Sequence, residues 1–323
     1  MIVPAEKLAL LEATTPPTAQ VLDRTRNYLA LAQISIAELA HRIRYGSSSL
    51  RRFLNGTYIE VGNAATDVHI RRALNEFMNA HPIEISTVTS GRLHETANVR
   101  IMRHWFDRCL ARRELAFVYG PPGAQKTFVF SHLVAEHNLR EIGKNGHGTR
   151  AYLVYCSEQI TPRQLLGKMV RAAAIPGASS IPTLMDNLRH HLTRRRALFV
   201  LDEAQHLSIS CLEIVRELND CDPHCGILLA GSHRLAQMFR ARSAELEQWN
   251  SRIASGVELP GMTEEESVQV IEAELGLQKP RQMELLLQNA LAKDGYSKNR
   301  HSYYSARRLF RQIAEIQDRL AQQ

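Results

Sequence analysis

The fold of this chain is decided by the stretch Gly120-Pro121-Pro122-Gly123-Ala124-Gln125-Lys126-Thr127. An apolar run over 115–119 precedes it and predicts a buried strand, and 128–134 is typical of the first turns of a helix. A glycine-rich turn between a strand and a helix directs several backbone N–H groups into one concavity, where the helix N-terminus adds partial positive charge. The stretch therefore predicts a phosphate-binding loop rather than a chance Gly-Pro turn.

Two side chains at the end of this loop carry its expected chemistry. Lys126 is expected to reach the β- and γ-phosphates of a nucleotide, and the Thr127 hydroxyl to help hold Mg²⁺. The loop departs from the pattern G-x-x-x-x-G-K-[ST] at Gln125, which replaces a glycine that permits unusual φ/ψ angles. We expect Gln125 to weaken nucleotide binding or slow turnover. The candidate nucleotide-binding residues run from Gly120 to Thr127 and include Phe128.

A second apolar run, 197–201, ends in the carboxylates of Asp202 and Glu203. Asp202 is expected to orient Mg²⁺ or its waters, and Glu203 to polarise an attacking water. The alternative is a buried strand that runs into an acidic turn. The loop 120–127 and the Asp202–Glu203 pair each follow directly after a predicted strand, and their occurrence together argues against that alternative. A third strand, 226–231, ends at Ser232, which is either a γ-phosphate or water contact or the start of an ordinary loop.

The composition favours a polyanionic partner and gives no indication of a membrane. The chain of 323 residues is long enough for two domains and a small third, and its hydrophobic content of 44% supports packed cores. Lys and Arg total 40 against 33 Asp and Glu, for a net charge of +7 and a pI of about 9.3. No apolar run approaches membrane-spanning length, and the N-terminal residues lack a signal pattern.

Cysteine usage predicts a cytoplasmic protein. The five cysteines are scattered and odd in number, which is typical of a reducing compartment. The segment Cys221-Asp222-Pro223-His224-Cys225 has no second ligand pair at zinc-binding spacing, so we interpret it as a turn with incidental thiols.

Two short helices with a tight turn between them are predicted near the N-terminus. Ser35 is a good N-cap, and Glu38 three residues later gives the spacing of a capping box. The apolar face of the first helix comprises Ile36, Leu39, Ala40 and Ile43. A second helix is expected over 47–54, ending at Asn55-Gly56. This arrangement is a helix-turn-helix pattern.

Residues 35–56 resemble the DNA-binding unit of λ-repressor-like domains, with Arg44 in place of the usual turn glycine. In that fold the second helix enters the major groove. The candidate contacts to phosphates or base edges are Ser47, Ser48, Ser49, Arg51 and Arg52. The alternative is an ordinary helical hairpin that docks another protein.

The remaining pattern divides the chain into three parts. Residues 1–90 are expected to hold the helix-turn-helix domain and a linker, with the boundary in the stretch 81–91. Buried strands alternate with helices over 91–262, which predicts an α/β domain whose parallel sheet is covered on both faces. Residues 263–323 are expected to be wholly helical.

The ordered motifs together resemble those of an AAA+ P-loop ATPase with a C-terminal helical lid. They comprise the loop 120–127, Leu201-Asp202-Glu203-Ala204-Gln205-His206-Leu207, Ser232, Asn250-Ser251-Arg252-Ile253 and Ser305-Ala306-Arg307-Arg308-Leu309. The resemblance implies that Ser232 is the sensor-one residue and that Arg252 is donated to the γ-phosphate of a neighbouring subunit. It also implies that Arg307, on the lid, contacts the same phosphate from within the subunit.

The Asp-Glu-Ala-Gln-His-Leu segment resembles that of the transposition ATPases of the MuB, TniB and TnsC group. A helix-turn-helix followed by such an ATPase module, over nearly the whole chain, is similar to the MuB-like members of this group. The resemblance implies ATP and Mg²⁺ as cofactors and an ATP-dependent homo-oligomer, filament or ring, on double-stranded target DNA. It further implies a DDE-type transposase as partner. The residues that we assign to DNA contact in the ATPase part are Arg163, Lys168 and Arg171, and a solvated helix face is the alternative.

Three other functions stay open from the sequence. Gln125 is compatible with a nucleotide-gated binding module that scarcely hydrolyses ATP. The helix-turn-helix pattern is compatible with a sequence-specific transcriptional regulator that has a nucleotide switch. A helicase loader belongs to the same class of ATPases.

Overall fold

A five-stranded parallel sheet forms the centre of the chain, in the order β2-β3-β4-β1-β5. Its strands are β1 (Leu115–Tyr119), β2 (Arg150–Tyr155), β3 (Ala197–Asp202), β4 (Cys225–Gly231) and β5 (Ile253–Glu258). Strand β4 pairs with both β1 and β3, so the carboxyl ends of these three strands lie side by side at one edge of the sheet. The prediction of an α/β fold with a parallel sheet is confirmed.

The computed structural model describes residues 5–32, 34–58, 67–81, 92–141, 149–175, 177, 180–193, 196–221, 225–241, 249, 253–276, 280–293 and 302–321. No helix within these ranges is long and apolar enough to cross a membrane. The predicted linker lies outside them from residue 82 onward, and the domain boundaries at 90 and 262 stay predictions.

The described residues up to 81 form helices α1 (Ala5–Thr14), α2 (Thr18–Ala32), α3 (Ile36–Arg42), α4 (Ser47–Leu54) and α5 (Val68–Ala80). Ser35 caps α3 by accepting a hydrogen bond from the Glu38 N–H at 3.1 Å. The Glu38 carboxylate pairs with Arg42 at 2.6 Å, so half of the predicted capping box is seen. Arg44 has φ 59°, the left-handed conformation that favours glycine. The two predicted helices and their tight turn are present, and their role in DNA binding stays a prediction.

Helices cover both faces of the sheet because successive strand residues are buried on opposite sides. The helices are α6 (Ala97–Arg112), α7 (Lys126–Arg140), α8 (Pro162–Ala172), α9 (Ile181–Leu192), α10 (Ile209–Cys221) and α11 (His233–Ala241). Phe117 and Phe199 face a core formed with α8 to α11, whereas Val118 and Val200 face a second core formed with α6 and α7. Helix α7 therefore begins at the sheet edge directly after the phosphate-binding loop.

The prediction that 263–323 is wholly helical is wrong. The described residues form α12 (Glu264–Leu275), α13 (Pro280–Ala290), the antiparallel strands β6 (Leu291–Lys293) and β7 (Ser302–Tyr304), and α14 (Ala306–Ala321). Tyr304 also exchanges backbone hydrogen bonds with Met262 at 3.0 and 3.3 Å, and Tyr303 is buried. Tyr303 and Tyr304 favour strands, and both are paired with residues outside their own segment. This pairing makes 302–304 a strand although the residues on either side have helical patterns.

Candidate functional site

The loop between β1 and α7 has the backbone shape that its phosphate-binding pattern requires. Gly123 has φ 87°, and Gln125 has φ 58° and ψ 25°, so both are left-handed. Gln125 therefore adopts the conformation for which the pattern specifies glycine. A Cβ atom on Gly123 would lie 2.3 Å from Ser305 Oγ, so only glycine fits between the loop and the residues that precede α14.

Lys126 lies almost fully buried behind this loop, with 9% of its surface exposed. Its ammonium group donates hydrogen bonds to the carbonyl oxygens of Gly120 and Pro121, at 3.1 and 3.2 Å. Burial lowers the pKa of Lys126, while the carboxylates of Glu203 and Asp202 act in the opposite direction. A buried cation that is held mainly by neutral carbonyls is well suited to bind an entering anion, because the anion offsets its lost hydration.

Thr127 and Asp202 meet at the carboxyl end of β3. The Thr127 hydroxyl donates a hydrogen bond to Asp202 Oδ2, and the Glu203 N–H donates to Asp202 Oδ1 at 2.9 Å. Burial raises the pKa of the Asp202 carboxyl group, and these two hydrogen bonds partly counter that effect. A hydroxyl and a carboxylate in contact supply the hard oxygen donors that Mg²⁺ prefers, so both residues fit the predicted metal site.

Glu203 and Ser232 are joined by Gln205, a residue of the 201–207 motif for which the sequence indicated no role. Gln205 lies in the 3₁₀ turn Ala204–His206, donates from Nε2 to the Glu203 carboxylate, and accepts at Oε1 from the Ser232 N–H at 3.0 Å. The Ser232 hydroxyl is buried and has no hydrogen-bond partner within the described part of the chain. The available signal was the amide of Gln205 two residues after Glu203. Its contact with Ser232 joins positions 27 residues apart, which the sequence pattern does not indicate.

A cavity of about 700 Å³ joins the phosphate-binding loop to the C-terminal helices. One wall consists of Pro122, Gly123, Gln125, Lys126, Thr127 and Phe128, with Glu203 beside them. The opposite wall comes from α14 and includes Arg307, Phe310 and Ile313. The other predicted loop residues, Gly120, Pro121 and Ala124, are buried behind the first wall. This volume lies within the range of cavities that hold small ligands.

The C-terminal segment is hydrogen-bonded directly to the loop. The Arg307 N–H donates to the Gly123 carbonyl oxygen at 3.2 Å, and the Tyr303 hydroxyl donates to the Pro122 carbonyl oxygen at 3.1 Å. The predicted lid residue Arg307 therefore lies at the cavity that holds Lys126.

Comparison with known protein families agrees with this geometry. Residues 110–239 match the family model described as an AAA domain. They form an AAA-type P-loop domain. A search of the curated proteins found no match for the chain.

Several solved structures are similar to this chain at low sequence identity. The ADP form of the Aeropyrum pernix ORC2 protein has a TM-score of 0.52 and 20% identity, over 72% of this chain and 65% of that one. Its ADPNP-ADP complexes give 0.46 and 19%, over 58% and 55%. The replication initiator DnaA bound to AMPPCP and single-stranded DNA gives 0.44 and 16%, over 70% and 62%. The chain thus spans 55–65% of the length of these structures, and the likeness to the ADP form concerns the fold alone.

The predicted arginine finger, Arg252, lies outside the described residues, as do Asn250 and Ser251. The neighbouring Trp249 and Ile253 are described, and Trp249 is buried in the core of the AAA domain. The role of Arg252 therefore stays a prediction.

The predicted DNA contacts lie on two helices. On α4, Ser47, Ser48, Arg51 and Arg52 are exposed and Ser49 is half-buried. On α8, Arg163 and Arg171 are exposed. The Lys168 ammonium donates to the Tyr155 carbonyl oxygen at 2.8 Å and to Ser157 Oγ at 3.2 Å, so it also ties α8 to the end of β2.

Proposed function

We propose that this chain is an ATP-dependent, DNA-binding ATPase that assembles on target DNA and recruits and stimulates a DDE-type transposase. The observation that carries the proposal is the cavity of the AAA domain. There the buried Lys126, the Thr127–Asp202 pair and Glu203 converge with Arg307 from α14.

In the proposed hydrolysis, Glu203 accepts a proton from a water whose oxygen bonds to the γ-phosphorus. The bond between that phosphorus and the β–γ bridging oxygen breaks, and ADP and phosphate form. Lys126 and Arg307 stabilise the negative charge on the phosphates. Mg²⁺ held by Thr127 and Asp202 would supply further neutralisation of that charge.

Assembly of subunits completes the site in this account. Arg252 reaches the γ-phosphate bound by the next subunit. Ser232 contacts the γ-phosphate, or the attacking water, in its own subunit. ATP therefore holds neighbouring subunits together, and its hydrolysis loosens them. A heterologous interface of this kind gives an open filament if its rotation does not close and a ring if it does.

DNA binding is proposed to use charge more than base sequence. The chain carries a net charge of +7, and arginines are exposed on both α4 and α8. Contacts from such side chains to phosphates bind most sequences alike and weaken as salt rises. Arg51 and Arg52 on α4 have in addition the side chains that read guanine in the major groove.

The transposase partner rests on the resemblance of the Asp202–Leu207 segment to the transposition ATPases. In that group, ATP-dependent assembly marks the target DNA to which the transposase is recruited. The localisation proposed for such a protein is the cytoplasm of a bacterial or phage-infected host cell.

The test of this function is a mobility shift with random-sequence duplex DNA, with and without ATP, combined with negative-stain imaging. Wild-type protein is expected to coat DNA only when ATP is present, and Lys126→Ala is expected to lose this ATP-dependent assembly. Arg140→Ala is the matched control, because it removes one positive charge from the far end of the same helix, α7, where Arg140 pairs with Glu136. An unchanged ATP-dependent shift with Lys126→Ala would refute the role of the cavity.

A second candidate is a nucleotide-switched, sequence-specific regulator, and the exposed Arg51 and Arg52 of α4 favour it. Footprinting at low protein concentration separates the two functions. A single palindromic footprint supports the regulator, whereas extended protection supports assembly along DNA.

A further inference from the structure

The side chain of Gln205 bridges the ends of two strands at the edge of the sheet where the nucleotide cavity opens. Its Oε1 atom accepts a hydrogen bond from the Ser232 N–H, directly after β4. Its Nε2 group donates to Oε2 of Glu203, directly after β3. The described contacts therefore use both ends of one amide, and each end meets a residue already predicted to act on the γ-phosphate or the water.

The chemistry of the two partners fixes the orientation of this amide. A backbone N–H can only donate, so the amide oxygen must face Ser232. The NH₂ group then points at the Glu203 carboxylate, which can only accept when it is ionised. The arrangement is specific to glutamine, because a glutamate of the same shape could accept from Ser232 but would place a second carboxylate against Glu203.

The local backbone is built to admit this bridge. Glu203 has φ 54°, and the 3₁₀ turn that follows brings Gln205 back towards β4. A Cβ atom on Gly231 would lie 2.6 Å from Gln205 Oε1, so the last residue of β4 must be glycine for the amide to reach the Ser232 N–H. Three features, the left-handed Glu203, the tight turn after it and the glycine at the end of β4, therefore hold the amide in one place.

We propose that Gln205 is a positioning residue for ATP hydrolysis, which holds the Glu203 carboxylate in the cavity and couples it to the strand end that carries Ser232. The proposal rests on the ATPase function proposed above. Gln205 does not touch the nucleotide in this account, so it acts on turnover through Glu203 and leaves ATP binding to the loop and to α14.

The test compares Gln205→Glu and Gln205→Met with wild-type protein by steady-state ATP hydrolysis across pH and by equilibrium binding of a fluorescent ATP analogue. Gln205→Met keeps the length of the side chain and loses both hydrogen bonds. It is expected to lower kcat by about 10²-fold, the scale set by small misplacements of a catalytic group, with the binding affinity unchanged. Gln205→Glu is expected to lower kcat near neutral pH and to recover activity as the pH rises. The acid limb of its profile of kcat against pH moves to higher pH, because two adjacent carboxylates do not both stay ionised.

The other charged groups near Glu203 are the same in all these variants. Asp202 and Lys126 lie on the elements beside it, and Arg92, Glu274 and Arg307 line the same cavity. Glu158, His206 and Arg234 line a second cavity together with Gln205. A shifted pH profile in Gln205→Glu is therefore attributable to the new carboxylate, and a purely structural role of Gln205 would not produce it.

Gln288→Glu is the matched control. Gln288 lies exposed on α13, outside the cavity, and its amide donates to Glu284 Oε1 at 3.3 Å, so the change places one carboxylate beside another in the same way. It is expected to leave kcat and the pH profile unchanged.

Each outcome of this experiment decides the proposal. If wild-type protein hydrolyses ATP and both Gln205 variants match Gln288→Glu, the positioning role is refuted while the ATPase function stands. If wild-type protein does not turn over ATP, the ATPase function fails and the positioning role fails with it. If Gln205→Glu does not fold, as judged by thermal unfolding, the kcat of Gln205→Met decides alone.

Discussion

Replacing Gln125 by glycine tests whether the phosphate-binding loop is held in an unfavourable backbone conformation. Gln125 has φ 58°, and a residue with a Cβ atom pays about 1–2 kcal/mol for the left-handed conformation. Glycine removes that cost but adds about 0.4–1 kcal/mol of unfolded-chain entropy to be lost on folding. Gln125→Gly is therefore expected to stabilise the AAA domain by about 1 kcal/mol, a rise in Tm of about 2–4 °C for a unit of 150–250 residues.

The measurement is thermal unfolding followed by circular dichroism, with ATP binding measured by titration on the same samples. Gln125 lines the cavity, so its removal is also expected to tighten ATP binding. Gln125→Ala keeps a Cβ atom and should show the wild-type Tm. Arg44→Gly relieves the same conformation, at φ 59°, in the N-terminal helices and should leave ATP binding unchanged. Equal stabilisation by Gln125→Ala and Gln125→Gly would refute the backbone argument.

Three further changes test the site. Asp202→Asn is expected to bind ATP without Mg²⁺-dependent turnover. It is also expected to raise the free energy of unfolding by about 1 kcal/mol, because it removes a buried charge. The amide oxygen can still accept from the Glu203 N–H, and the amide NH₂ group can donate to the Thr127 hydroxyl. Burial raises the pKa of Asp202, so this stabilisation should be absent below pH 3.8 and grow as the pH rises. It should be complete once the carboxyl group is ionised in the folded wild-type protein. A difference in the free energy of unfolding between variant and wild type that stays constant across pH would contradict this prediction. Arg252→Ala is expected to keep ATP binding and lose about 10³-fold or more in turnover, and preserved turnover would remove its assigned role. Tyr303→Phe removes the hydrogen bond to Pro122 and should speed ATP release several-fold in stopped-flow experiments; an unchanged release rate would show that this contact does not close the cavity.

The sequence predicted the parts of the site that are local in the chain. The loop 120–127 and the Asp202–Glu203 pair were evident because each directly follows an apolar strand. Gln125 and Arg44 were identified as departures from glycine patterns, and the structure shows both in the left-handed conformation that those glycines would supply. The pattern therefore indicated the backbone conformation even where the residue type had changed.

The contacts between distant segments could not be read from local patterns. Strands β6 and β7 have three residues each, too short for a period to be recognised, and β7 is held by Met262. The Gln205 bridge depends on β4 lying beside β3, which is set by the order of the sheet and not by the spacing of any motif. The contact of Tyr303 with Pro122 likewise joins residues 181 positions apart.

The most direct test of the central claim is the rate of ATP hydrolysis by wild-type protein with and without random-sequence duplex DNA, with Lys126→Ala measured in parallel. The cavity geometry predicts turnover that depends on Lys126, and the proposed assembly on DNA predicts that duplex DNA stimulates it. A wild-type rate that equals that of Lys126→Ala under both conditions would contradict the assignment of this chain as a DNA-stimulated ATPase.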